Sequence, residues 1–299
     1  MEKHLRHWKL GFGLAISTAA LWGFLPIALK LALTELDAWT ITWCRFAGAF
    51  AAVGCWLIAR GELPFSKLHD RKLWRWLVPG SLGLTGNYVL YVLGLRYTSP
   101  AVAQTVMQLA PLLLLLFGMI FFHERFSPIQ WPGLATQLLG LAVFFNKRLP
   151  ELLNPHEGWS FGILLLAISS ASWATYGLSQ KQLSKRLTSA QILFLVYAGA
   201  TLILLPTASF GLLFKMHRAA ALALLFSVAN TVAAYGAFGY ALEIWEVSRV
   251  SSVVTAAPLF TLIASFFVAP EPLNALSVVG ALGVVAGSMI CALGNRRKS

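Results

Sequence analysis

Apolar residues run along this chain in ten long stretches, separated by short segments that hold most of its polar residues. A helix needs about 20 consecutive, mostly apolar residues to cross a bilayer, and each stretch reaches or approaches that length. We therefore predict ten transmembrane helices, at 10–33, 38–59, 74–95, 99–122, 128–145, 158–180, 188–213, 219–242, 247–269 and 273–293. The segments between them are too short for an extramembrane domain. The predicted fold class is thus an all-α integral membrane protein.

The second half of the chain repeats the first. One set of residues recurs 147 positions later: Pro111, Glu124, Gly133 and Gly140 return as Pro258, Glu271, Gly280 and Gly287. An earlier set recurs 151 positions later: Trp22 and Lys30 return as Trp173 and Lys181. The duplication predicts two units of five helices, at 1–149 and 150–299. Because five is odd, the second unit must enter the membrane from the opposite side, which is the inverted arrangement of many transporters.

The composition agrees with a membrane protein. Hydrophobic residues make up 58% of the chain and charged residues 11%, with a mean hydropathy of +0.72, whereas a soluble domain carries about 25% charged residues. The formal net charge is +12, and its distribution indicates lipid rather than nucleic acid. With the N-terminus in the cytoplasm, 16 of the 23 Lys and Arg residues fall in predicted cytoplasmic segments and 6 in outer ones. By the positive-inside rule both termini are cytoplasmic, and the basic residues contact anionic headgroups of the lipid bilayer.

The sequence lacks the residue patterns of a membrane-embedded enzyme or a metal site. It contains no His-Glu-x-x-His, no Gly-x-Ser-x-Gly and no pair of carboxylates inside a span, and the first two are signatures of metalloproteases and serine hydrolases. Cys44, Cys55 and Cys291 fall inside predicted spans without metal-ligand spacing, and we expect them to pack as small apolar residues. No metal or cofactor is predicted. A membrane-embedded enzyme and a pore are the minor alternatives.

Two polar stripes that end in proline carry the candidate binding site. In the fourth predicted helix, Gln104, Gln108 and Pro111 lie at i, i+4 and i+7, on one helical face. The equivalent residues of the ninth helix are Ser251, Thr255 and Pro258. Two equivalent stripes predict facing walls of a substrate cavity, although hydrogen bonds between helices without any ligand would use the same residues. Each proline removes a backbone hydrogen bond in mid-helix, so both prolines are candidate kinks or hinges.

Aromatic rings and buried amides extend these walls. Rings offer faces on which an aromatic side chain can stack, and polar groups inside a span are costly unless they serve a function or pair with one another. On these grounds the further candidate substrate-binding residues are Trp22, Asn87, Tyr88, Tyr91, Trp173, Tyr176, Asn230, Tyr235 and Phe238. For Trp22, which lies in mid-span, contact with lipid or packing in the core is the alternative.

Charged residues are scarce inside the predicted helices. Arg45 could neutralise a substrate carboxylate, but we expect its long side chain to extend to the outer headgroups. Glu124 and Glu271 end the fourth and ninth helices, where hydrogen bonding or ion pairing at the helix end is the expectation and gating or proton transfer the alternative. No Asp or Glu lies in the middle of a span. This absence favours a neutral zwitterion with a bulky apolar side chain over an organic cation, and it leaves the energy source of transport open.

The segments that begin at the two glutamates carry a family resemblance. They run Glu-Arg-Phe-Ser-Pro-Ile-Gln-Trp-Pro-Gly from Glu124 and Glu-Pro-Leu-Asn-Ala-Leu-Ser-Val-Val-Gly from Glu271, and Gly140 and Gly287 follow. Both resemble the paired signature of EamA-type members of the drug/metabolite transporter superfamily. The resemblance implies ten helices in two inverted five-helix repeats, both termini in the cytoplasm, and a place in the bacterial inner membrane.

A second resemblance concerns the cargo. The residues Trp22-Gly23, Asn87-Tyr88 and Gln104 to Pro111 make the chain similar to the aromatic amino-acid exporters of that superfamily. This similarity implies an alternating-access exporter whose small-molecule substrate is an aromatic or bulky neutral amino acid. Because one fold carries many cargoes, a nucleobase, a sugar derivative or an amphiphilic drug is the alternative. A monomer is compatible with the sequence, which leaves the oligomeric state open.

The predicted topology can be tested by thiol labelling. In a variant without the native cysteines, Lys3→Cys and Ser299→Cys are each expected to react with a membrane-impermeant reagent only after spheroplasts are lysed, because both termini are predicted to be cytoplasmic. Lys215→Cys, in a predicted outer segment, is the control and should react in intact spheroplasts. Labelling of either terminus before lysis would contradict the topology.

Overall fold

The computed structural model describes residues 2–122, 127–146, 158–245, 250, 253–268 and 275–293, and within these residues it contains helices and no strand. The α-helices are α1 (Glu2–Ala32), α2 (Ala38–Arg60), α3 (Arg71–Tyr97), α4 (Pro100–Val106), α5 (Leu109–Phe122), α6 (Gln130–Phe144), α7 (Gly158–Leu183), α8 (Ser189–Leu204), α9 (Phe210–Leu213), α10 (Arg218–Ile244), α11 (Ala257–Val268) and α12 (Ala275–Leu293). Short 3₁₀ helices occupy Pro64–His69 and Leu205–Thr207.

Six helical segments of the described residues are long and apolar enough to cross a membrane. They are Lys9–Ala32, Ala38–Arg60, Pro100–Phe121, Gly158–Leu183, Ser189–Thr207 and Arg218–Ala241. Two shorter apolar helices, Ala257–Phe267 and Ala275–Cys291, accompany them. The all-helical membrane fold expected from the hydrophobic pattern is therefore confirmed. A helix lies within each of the ten predicted stretches, and the number of ten crossings stays a prediction.

Side chains at the helix ends satisfy backbone groups that the helices leave unpaired. The Asp37 carboxylate accepts hydrogen bonds from the backbone N–H groups of Trp39 and Thr40, both at 2.9 Å, at the start of α2. Thr188, 151 residues later, caps the start of α8 in a reciprocal capping box with Gln191. The two N-caps thus occupy equivalent positions in the two halves, as a duplicated helix start predicts.

The helix contacts follow the internal repeat: if the two halves are exchanged, the pattern of helix pairs stays the same. Helix α3 packs along α7, and its equivalent α10 packs along α1. The same exchange relates the contact of α5 with α7 to that of α11 with α1, while α2 packs on its own equivalent α8 and α6 on α12. This pairing is the one expected of two repeats related by a two-fold axis. The division at residues 149 and 150 lies outside the described residues and stays a prediction.

Glycines bring α6 and α12 into backbone contact. A Cβ added to Gly140 would lie 2.5 Å from the Val284 nitrogen and 2.8 Å from the Gly280 oxygen, and one added to Gly133 would lie 2.8 Å from the Cys291 nitrogen. Such approaches are possible only without a side chain. These glycines therefore pack the two helices against each other within the chain.

We expect Gly140→Ala to lower the thermal stability of the purified protein, because the added methyl group would force α6 and α12 apart. Overpacking of this kind costs about 1–3 kcal/mol. The matched control is Gly236→Ala in α10, where an added Cβ meets nothing within 4 Å and the higher helix propensity of alanine should leave stability unchanged or raised. Thermal unfolding in detergent measures both. Equal stability of the two variants would contradict the close approach.

Candidate functional site

A cavity of about 280 Å³ lies between the two halves, with walls from both. Its volume is close to the lower end of the range for small-molecule sites, about 300–1,000 Å³. The structure brings eleven of the thirteen predicted substrate-binding residues to its walls: Trp22, Asn87, Tyr88, Tyr91, Gln104, Gln108, Trp173, Asn230, Tyr235, Phe238 and Thr255. Pro111 also lines it. Their role in binding stays a prediction.

Tyr176 departs from the expectation. It lies one turn from Trp173 in α7, but it is buried in the contact between α7 and α3 rather than at the cavity wall. The reason is the small residue opposite: a Cβ added to Gly83 of α3 would lie 2.9 Å from the Tyr176 nitrogen, so the two backbones touch there. Pro258 is also buried away from the described walls. Ser251, Glu124 and Glu271 lie outside the described residues.

Each proline follows a break in its helix. The fourth predicted span divides at Met107 and Gln108, between α4 and α5, because Pro111 has no N–H to donate to the Met107 carbonyl. That carbonyl accepts instead from the Ala110 N–H at 3.0 Å. In the second half, residues 255–256 form the turn before α11, at the equivalent place. Gln108 and Thr255 each lie within a break, and the action of the two prolines as kinks or hinges stays a prediction.

The break exposes a backbone carbonyl that another helix satisfies. The Gln137 amide of α6 donates to the Gln108 carbonyl. Gln137 itself is fully buried beside α12. In hydrocarbon an unpaired carbonyl would cost several kcal/mol, so irregular backbone at this depth needs a partner from the protein.

Aromatic residues form one wall of the cavity. The Trp22 ring lies 5.5 Å from the Tyr235 ring and 5.5 Å from the Phe238 ring, measured between centroids. These separations are typical of favourable aromatic pairs. Trp22 thus contacts α10 and the cavity rather than lipid alone, and the wall offers ring faces to an apolar ligand.

The amides of the cavity are bonded in different ways. The Asn87 amide donates to the Ser169 side chain at 2.9 Å, so this residue links α3 to α7, as a polar group inside a span does when it pairs with another. The Tyr91 hydroxyl donates to Gln104 Oε1 at 3.3 Å. The Asn230 amide donates to the Leu21 carbonyl at 2.6 Å, while its Oδ1 is buried with no hydrogen-bond partner among the described residues.

Arg45 is the functional candidate that sequence reasoning placed wrongly. Its side chain does not extend to the headgroups: it is 3% exposed and lines the cavity. Its Nε donates to Thr231 Oγ1 at 3.1 Å, and its guanidinium carbon lies 4.2 Å from the centroid of the Tyr88 ring. The cation–π contact and the hydrogen bond hold it inward. A lone charge inside a span was the signal that could have identified it.

Arg45 gives the cavity a positive charge. Its described walls hold no Asp or Glu. Among the described residues, no group of three or more His, Cys, Asp or Glu could hold a metal ion. The arrangement can therefore bind a small molecule through ring faces, amides and one positive charge, and it offers no described carboxylate to a cationic ligand.

Comparisons with known proteins agree with this architecture. The sequence model of the EamA-like transporter family matches twice, at residues 9–146 and 160–293. An Escherichia coli protein named "uncharacterized inner membrane transporter YhbE" is 35% identical over 297 residues, which cover 96% of this chain and 92% of that one. A Salmonella typhimurium protein named "probable amino-acid metabolite efflux pump" is 24% identical over 305 residues, covering 96% of each.

A solved crystal structure shares the fold. It superposes with a TM-score of 0.66 at 20% sequence identity and covers 97% of this chain and 99% of that one. Identity this low shows the fold alone. The family model, by contrast, accounts for nearly the whole sequence in two copies, and the relative at 35% identity spans it as well. The chain therefore belongs to the EamA-like transporter family and is a multi-pass membrane transporter.

Proposed function

We propose that this transporter exports aromatic or other bulky neutral amino acids across the bacterial inner membrane by alternating access. The observation that carries the proposal is the cavity between the halves, which combines ring faces, amides and one buried arginine without a described carboxylate. An amino acid presents a matching set of groups: an apolar side chain for the rings and a carboxylate and ammonium for the polar side chains.

The relatives support the cargo class and the membrane. The name of the Salmonella typhimurium protein describes amino-acid metabolite efflux, and that of the Escherichia coli protein an inner-membrane transporter. For this chain the aromatic preference rests on the cavity. The Trp22 ring and its neighbours Tyr235 and Phe238 supply stacking faces, which favour a planar apolar side chain over a sugar.

Two equivalent ion pairs support alternating access. At one end of the molecule Glu35, before α2, contacts His217, before α10, with 3.2 Å between Oε2 and Nδ1. At the other end Arg186, 151 residues after Glu35, pairs with Asp70, 147 residues before His217. A hydrogen bond from the His217 backbone lowers the pKa of the Glu35 carboxyl. Contacts repeated at both ends, with their charges exchanged, suit a transporter whose two faces open by equivalent movements.

Purified protein in liposomes is expected to carry labelled phenylalanine or tryptophan with saturable kinetics. Excess unlabelled phenylalanine should compete, whereas a nucleobase, a sugar phosphate and an amphiphilic cation should not. Empty liposomes and liposomes with heat-unfolded protein are the controls. Absence of saturable flux for every amino acid tested would refute the proposed cargo. If the nucleobase, the sugar phosphate or the amphiphilic cation competed and phenylalanine did not, that compound would indicate a different substrate class.

Tyr91→Ala and Gln108→Ala are each expected to reduce transport while leaving the amount of protein in the membrane unchanged. Each removes a group at the cavity wall whose contact with a ligand contributes about 1–1.5 kcal/mol, which corresponds to roughly a tenfold loss of flux at low substrate concentration.

The matched control for the tyrosine is Tyr240→Ala in α10. Tyr240 is 47% exposed on the outside of the helices, against 8% for Tyr91, so its removal should leave flux unaltered. Wild-type kinetics in both Tyr91→Ala and Gln108→Ala would remove these residues from the substrate site.

A further inference from the structure

We propose that Arg45 is the residue that binds the carboxylate of the substrate, so that the transporter selects molecules with a carboxylate and rejects amines that lack one. This inference rests on the proposed function and names the chemical group that the same cavity recognises. It reverses the sequence expectation, in which Arg45 extends to the headgroups.

The guanidinium of Arg45 has more hydrogen-bond donors than the protein satisfies. A guanidinium carries five N–H groups. The Nε group donates to Thr231, and among the described residues no hydrogen bond is made by the two terminal nitrogens. No described carboxylate lines the cavity, although the arginine is 97% buried. A buried charge without a partner is costly, and the Tyr88 ring face offsets only part of that cost.

The remaining donors have the geometry of a carboxylate site. The planar fork of an arginine matches the two oxygens of a carboxylate and forms paired, charge-assisted hydrogen bonds. Because Nε is the nitrogen that bonds to the described part of the chain, the terminal nitrogens at the far end of the group are left for a ligand. A lysine would place one rotatable charge there instead, without the fork.

The protein fixes the orientation of this group before a substrate arrives. Thr231 Oγ1 donates to the Ser227 carbonyl at 2.9 Å, so its lone pairs are directed to the arginine. The Tyr88 ring of α3 covers one face of the guanidinium. Arg45 of α2 is thus held by residues of α3 and α10, which belong to different halves of the chain. Because its side chain is already positioned, substrate binding does not have to order it.

The positive charge of Arg45 has no equivalent in the second half of the chain. The position equivalent to Arg45 in the second half is Val196, a fully buried apolar residue of α8. Asn230, next to Thr231, lines the cavity and has a buried Oδ1 with no partner in the described part of the chain. A cation and an acceptor on the walls of one cavity fit the carboxylate and ammonium of an α-amino acid, and they fit a dicarboxylate poorly.

The test compares three probes that share a phenyl ring and a short carbon chain: L-phenylalanine, 3-phenylpropionate, which lacks the amine, and phenethylamine, which lacks the carboxylate. Their dissociation constants are measured by calorimetry on the purified protein in detergent, which avoids leakage of the amine through a bilayer. The variants are Arg45→Gln and Arg45→Lys. The control is Arg60→Gln, which removes an exposed arginine from the end of the same helix.

Wild-type protein and Arg60→Gln are expected to bind both carboxylates at least roughly tenfold more tightly than phenethylamine. Arg45→Gln should weaken the two carboxylates by roughly tenfold to a hundredfold and change phenethylamine binding less than twofold. Arg45→Lys keeps the charge and serves as the second variant if Arg45→Gln does not fold. It should lose part of the affinity for the two carboxylates.

Equal binding of phenethylamine and the carboxylates by wild-type protein, or carboxylate selectivity that survives in Arg45→Gln, would overturn the inference. Such a result together with saturable phenylalanine flux would leave the proposed function standing. Conversely, binding of 3-phenylpropionate that depends on Arg45, without flux of any amino acid, would support the inference and refute the proposed cargo.

Discussion

The absence of water in the hydrocarbon of a bilayer constrains this structure more than any single contact. Every backbone polar group at that depth needs a partner from the protein. Regular helices meet this requirement by themselves, which is why the ten apolar stretches all contain helix. At the break between α4 and α5 the requirement falls on another helix: the Gln137 amide satisfies the carbonyl of Gln108. The breaks are tolerated because they face the cavity and buried partners, and they place Gln108 and Thr255 at its walls.

Small and polar residues serve two purposes: they hold the helices together and they line the cavity. Glycines carry the closest helix contacts, with Gly140 against the backbone of α12 and Gly83 against that of α7. Asn87 lines the cavity, yet its amide is bonded to Ser169, so part of the predicted binding wall also holds helices together. Because close packing and satisfied amides fix the positions of the helices, the cavity can keep polar atoms unpaired without losing its shape.

Much of this arrangement could be predicted from the sequence, since duplication and helical periodicity are local properties of a chain. Residue type and spacing were enough to bring Gln104, Gln108 and Thr255 to the cavity walls and to anticipate the helix breaks before the two prolines. The placements of Arg45 and Tyr176 do not, because each depends on a partner distant in sequence. Arg45 turns inward to contact Tyr88 and Thr231, and Tyr176 is buried where Gly83 lets α3 approach. Spacing along one helix contains no information about the residue that faces it.

The departures from symmetry are as informative as the symmetry. A cavity with two equal walls would hold a ligand in two opposite orientations with equal energy. Here the arginine of α2 faces no equivalent charge, since Val196 occupies the matching position, and a ligand with a polar and an apolar end would therefore bind in one orientation. The ends differ too, since an arginine pairs with Asp70 at one end, whereas a histidine, which is charged only when protonated, pairs with Glu35 at the other. Duplication thus supplies two equivalent halves, as the proposed alternating access requires, and single substitutions within one half supply the polarity that gives an asymmetric ligand one preferred orientation.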